Sequence, residues 1–79
     1  SLLNEVALAE LQVEEKELAL AKVRLETEVY QQQRAAGFLT EKDWNLKQLE
    51  EKSAEIGYKA ATDQVLLRKL RLFHLVGML

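Results

Sequence analysis

Apolar residues recur along this chain at helical spacing in two long runs, separated by one short break. In the first run, Val6, Ala9, Val13, Leu20 and Val23 follow an alternating step of three and four residues. Thr27 and Tyr30 continue the line, and Lys16 breaks it. A second line, Leu11, Leu18 and Leu25, repeats every seven residues with Leu8 and Val29 beside it. At about 100° per residue the two lines fall on nearly opposite sides of one helix. The second run behaves alike. Its main line is Leu46, Leu49, Ser53, Ile56, Ala60, Asp63, Leu67 and Leu70, and its other line is Trp44, Tyr58, Val65 and Leu72 beside Ala54 and Ala61. The pattern predicts an all-α fold: a single helical hairpin over 1–79, with helices over about 3–36 and 40–75 and a turn at about 37–39.

An antiparallel pair of helices needs one apolar line on each. The main lines are therefore assigned to the seam of a coiled-coil hairpin. The others, represented by Leu11, Leu18, Leu25, Tyr58, Val65 and Leu72, are assigned to lateral packing against something outside the hairpin. Gly57 is a weak point in a helix interior. Asp43 with Lys47, and Glu55 with Lys59, are expected to pair across one turn on the outer surface.

The break carries several boundary signals at once. Gly37 suits the left-handed conformation that ends a helix. Thr40 suits the N-cap, and Asp43 stands three residues later, where a capping box places Glu or Gln; the shorter Asp weakens that half of the motif. Leu39 and Trp44 have the spacing of a hydrophobic staple. Glu41 and Asp43 put negative charge in the first turn, where the helix dipole favours it.

Composition narrows the function. The chain has 79 residues, 30% of them charged, no Pro, no Cys and a formal net charge of -2, the profile of a coiled coil rather than a basic nucleic-acid binder. Its 13 carboxylates read as solvated helix faces, Glu14, Glu15 and Glu17 among them. His74 is the only histidine, so no metal-ligand cluster is expected. No nucleophile set or phosphate loop appears, and no catalytic residue or cofactor is assigned. Val65 to Leu79 is apolar nearly all round, broken by Arg68, Lys69, Arg71 and His74. Such a segment is expected where the hairpin base meets other structure; a membrane-surface helix is the minor reading. A start at Ser1 without Met reads as an excised piece or a processed product.

Three stretches carry a family resemblance: Ala7 through Leu25, Arg34 through Asp43, and Ala60-Ala61 with Leu67 through Leu72. Together they resemble the α-helical hairpin of periplasmic adaptor proteins, the membrane fusion proteins of tripartite efflux pumps and type I secretion systems. The close from Leu67 to Leu72 looks most like heavy-metal-type adaptors. In that family a heptad helix ends near a Gly, an apolar residue, then Ser or Thr and an acidic run; Gly37, Leu39, Thr40 and Asp43 match. Many drug-efflux adaptors carry Arg and Leu where this chain has Val29 and Gln33. The resemblance implies a non-catalytic assembly and docking module in the periplasm of a Gram-negative bacterium, part of a larger membrane-anchored protein. Its implied partners are other copies of the adaptor and an outer-membrane channel, met by a tip of Gln33, Arg34, Phe38, Leu39 and Thr40. No nucleic acid or small-molecule substrate is implied for this segment. The alternative is a generic self-associating hairpin that forms a four-helix bundle.

Overall fold

The structure, a computed structural model, describes residues 1–78. Two α-helices, α1 (Leu2–Ala35) and α2 (Glu41–Gly77), fold back on each other as an antiparallel hairpin. The rod measures 64 × 15 × 13 Å. Ser1 caps α1, its hydroxyl accepting from the Asn4 N–H at 3.3 Å. α2 runs through Gly77, beyond the expected end near Leu75. Nothing after Leu75 stops it: no proline follows, and Gly77 costs least in a final turn.

The seam uses the expected line of α1. Ala9, Leu20 and Val23 are buried, and Val6, Val13, Thr27 and Tyr30 are half-buried. Thr27 satisfies its hydroxyl inside its own helix, donating to the Val23 carbonyl at 2.9 Å, so it sits in the seam without an unmet polar group.

On α2 the expected faces are exchanged. Leu46, Leu49, Ile56, Leu67 and Leu70 are exposed. Trp44, Lys47 and Ala61 are buried, and Ala54, Tyr58, Val65 and Leu72 are half-buried. Tyr58 lies beside Leu20, and Val65 beside Val13. Tyr58, Val65 and Leu72 are thus seam residues and not lateral ones. The reason lies at the turn. Trp44 is folded inwards there, and steps of three and four from Trp44 carry the inner line through Lys47, Glu51, Ala54, Tyr58, Ala61, Val65, Arg68 and Leu72. One helix face can meet α1, and the tryptophan decides which.

Cross-helix pairs hold one register along the rod: Glu10 with Lys69 at 3.3 Å, Arg24 with Glu55 at 3.6 Å, and Glu26 with Lys47 at 3.3 Å. Glu55 also meets Lys52 at 3.7 Å and so does not form the expected pair with Lys59. Exposed pairs of this kind contribute little individually; their agreement fixes alignment more than stability.

Gly57 lies where the seam is interrupted by Lys16. A Cβ built there would meet only the Lys16 Cδ, at 3.8 Å, an ordinary contact. Gly57→Ala is therefore expected to stabilise the hairpin by about 1 kcal/mol through helix propensity alone. Gly37 has a φ of +81°, and Gly37→Ala is expected to cost about 1–2 kcal/mol, though nothing crowds the site. Urea unfolding of both variants checks the pair: opposite shifts are expected, and shifts of the same sign would contradict the backbone argument.

Candidate functional site: the tip and the two outer faces

The tip is built from the backbone outwards. The Phe38 N–H donates to the Gln33 carbonyl at 2.9 Å and the Gly37 N–H to the Arg34 carbonyl at 3.0 Å. This is the paired bonding of a Schellman motif, which satisfies the last carbonyls of α1. On the other side Thr40 has extended backbone, and its hydroxyl accepts from the Asp43 N–H at 3.1 Å. Among the described residues the Asp43 carboxylate makes no return bond to Thr40, so half of the capping box forms.

Schellman turns commonly tuck the residue after the glycine against the helix they close. Here the residue one turn back is Gln33, and Phe38 remains 82% exposed. The motif leaves its aromatic ring unused. Leu39 is half-buried, Trp44 is buried, and Gln33 and Thr40 are exposed.

Arg34 is committed to the turn. Its Nη2 donates to Glu41 Oε1 at 2.9 Å and its Nε to the same oxygen at 3.3 Å. Its guanidinium carbon lies 5.3 Å from the centre of the Trp44 ring, within cation–π range. One side chain therefore ties the end of α1 to the start of α2 and covers the tryptophan. Arg34 thus fastens the turn while its side chain stays 44% exposed.

Just below the tip sits a buried charge that helical periodicity does not reveal. Lys47 is 6% exposed. Its ammonium donates to Glu26 at 3.3 Å and Glu50 at 3.2 Å and stands 4.8 Å from the centre of the Tyr30 ring. The expected surface pair of Asp43 with Lys47 does not form, because the inner phase of α2 carries Lys47 into the seam. Burial alone pushes the ammonium's pKa down, but the two carboxylates outweigh it and the pKa is raised. No apolar count flags such a residue; its spacing from Trp44 does.

Away from the tip, both helices present apolar lines on the sides turned away from the seam. Leu11, Leu18 and Leu25 are exposed on α1, Leu18 to 72%. The exposed line of α2, from Leu46 to Leu70, takes the place assigned to Tyr58, Val65 and Leu72. Towards the base, Leu66, Phe73, Val76 and Met78 are exposed as well, whereas Arg68 and Lys69 are half-buried and Lys69 pairs with Glu10. Among the described residues no helix is long and apolar enough to cross a membrane, and no group of three or more His, Asp or Glu is placed to hold a metal ion. The recesses along the rod are grooves between the helices; one of ≈ 550 Å³ is lined by Val13, Val65 and Leu66 with Glu10, Glu14, Thr62 and Lys69.

Two outcomes follow for the tip. Arg34→Ala is expected to lower stability by about 0.5–1 kcal/mol, read as a fall in Tm; an unchanged Tm would show that its contacts with Glu41 and Trp44 contribute nothing to the fold. Lys47 has a folded pKa above its unfolded value. Its contribution is therefore complete below the ordinary lysine value of 10.5 and is lost as pH rises through the raised folded value. Lys47→Gln is expected to lose less stability than the parent chain on that alkaline limb, measured by thermal unfolding against pH; equal losses would show that the carboxylate pairs contribute nothing.

Comparison with known protein families, with curated proteins and with solved structures finds no match to this chain.

Proposed function

We propose that this hairpin is an assembly and docking module, the coiled-coil segment of a periplasmic adaptor of an efflux or secretion system, and that it acts by helix packing without catalysis. The observation that carries the reading is the exposed Phe38 at a turn whose hydrogen bonds are already complete. A capped turn needs no exposed aromatic for its own stability, and an aromatic projecting from the end of a narrow rod suits a contact made end-on. The exposed leucines of both helices support the same reading, since they give the rod two further surfaces along its length.

In this reading the base of the rod joins the rest of the adaptor. The outer faces pack beside neighbouring copies, and the tip meets the coiled-coil end of an outer-membrane channel. Phe38, Leu39, Thr40 and Gln33 form the contact, and Arg34 and Trp44 keep the turn rigid behind it. A rigid tip loses little conformational entropy on docking.

Phe38→Asp tests the tip. The ring makes no structural contact that its exposure reveals, so helicity is expected to stay unchanged by circular dichroism while affinity for the channel's coiled-coil end falls at least about tenfold. Loss of helicity together with binding would assign Phe38 to the fold and remove the tip from the proposal.

A further inference from the structure

The outer line of α2 has the same pattern from either end. From the tip it runs Leu46, Leu49, Ser53 and Ile56; from the base it runs Leu70, Leu67, Asp63 and Ala60. Each half holds two leucines, then a short polar residue, then an apolar one. The steps agree as well, three, four and three residues in both halves, and the midpoint is level with Tyr58. All eight residues are exposed. Around them stand exposed charges with little to do inside one copy. Asp43, Asp63 and Arg71 hold no ion pair among the described residues, and Lys52 holds only the 3.7 Å pair to Glu55 on its own helix.

We propose that the occupant of this face is the same face of a second copy of this chain, laid antiparallel. The two α2 helices then pair about a two-fold axis level with Tyr58, and the tip of each rod lies beside the base of the other. The inference goes beyond the docking reading and does not rest on it. A two-fold contact uses one patch on both copies, so the patch must fit itself when reversed. Laid this way, Leu46 faces Leu70, Leu49 faces Leu67, Ser53 faces Asp63 and Ile56 faces Ala60, each twice. Apolar residues meet apolar ones, and in the polar layer a serine hydroxyl meets a carboxylate that can accept from it.

The charges agree with this register. Lys52 comes level with Asp63 of the second copy on the same edge of the contact, and its stem crosses Leu66 of that copy on the way. On the other edge Asp43 comes beside Arg71. Both opposite-charge contacts occur twice. One contact is unfavourable: Lys59 meets its own equivalent beside the axis. Other pairings of α2 with itself fit worse. A slip of one heptad sets Leu46 against Asp63 or Ser53 against Leu70, a polar group against leucine. Aligned tips set Asp63 against Asp63. The outer line of α1 offers no such register, because Glu15 and Lys22 both fall where an antiparallel copy presents leucine. The α2 pairing is closed, so association stops at two copies, with α1 of each on the outside.

The test is sedimentation equilibrium of the 79-residue chain at low salt, with circular dichroism as a control. A monomer–dimer equilibrium without larger species is expected. Lys52→Asp and Asp63→Lys each set like charges against each other at both symmetric contacts. Each is expected to lose at least about tenfold in dimer association constant while staying helical. The double variant Lys52→Asp/Asp63→Lys reverses both signs and is expected to recover the parent value. Residues 52 and 63 are about three turns apart on one helix, so only the antiparallel register couples them. Lys59→Gln is expected to dimerise more tightly than the parent chain. A chain that stays monomeric at every concentration, and equally with Lys59→Gln, overturns the proposal. So does association beyond two copies, or a dimer indifferent to both single variants, which places another face or the base at the contact. A double variant as weak as the single ones overturns it too.

Discussion

The inward placement of Trp44 is the constraint on which this hairpin depends. Thr40 starts α2, and the Arg34 guanidinium covers the indole four residues later at the end of α1. A helix has one rotational freedom about its axis. Once Trp44 faces α1, every later residue of α2 has its side of the rod assigned. The line from Lys47 to Leu72 turns inwards because of a contact made in the first turn, although the opposite face holds more leucine. The same event sends Leu46, Leu49, Ile56, Leu67 and Leu70 outwards and gives the molecule its second apolar face.

The inner seam is correspondingly modest. It contains alanine at Ala9, Ala54 and Ala61, a glycine at Gly57 and a lysine at Lys47, with Leu20, Val23 and Trp44 as its larger buried apolar residues. Small residues keep the rod narrow but bury little area, and buried apolar area is the main source of stability in so short a chain. Lys47 adds alignment through Glu26, Glu50 and Tyr30. A buried charge with two carboxylate partners tolerates few other registers, because a slip of α2 along α1 would separate it from Glu26. The hairpin thus gains specificity from its tip and leaves much of its apolar surface exposed.

Much of this was legible in the residues. The boundary at Gly37 to Thr40, the cap and the seam of α1 follow from local chemistry, because each depends on neighbours close in sequence. The face of α2 was not legible by counting. Leu46, Leu49, Ile56, Leu67 and Leu70 outscore a line containing Lys47, Glu51 and Arg68, and counting apolar residues assumes that the greasier face is the buried one. The decisive signal was nonetheless present in Trp44 itself, a large apolar residue in the first turn of α2 whose burial fixes phase where hydrophobicity only ranks faces. Arg34 and Lys47 escaped for a related reason: their roles depend on what the other helix carries past them, Trp44 and Glu41 of α2 for Arg34 and Glu26 and Tyr30 of α1 for Lys47.

The phase of α2 is the central claim, and engineered cysteines measure it most directly, since the chain has none of its own. Val13→Cys combined with Val65→Cys places two thiols on the proposed seam, whereas Val13→Cys with Leu67→Cys joins α1 to the face proposed to be outside. Under mild oxidation at low concentration, the first pair is expected to form an intramolecular disulfide far faster than the second. Faster closure of the Leu67 pair, or equal rates for both, would contradict the account.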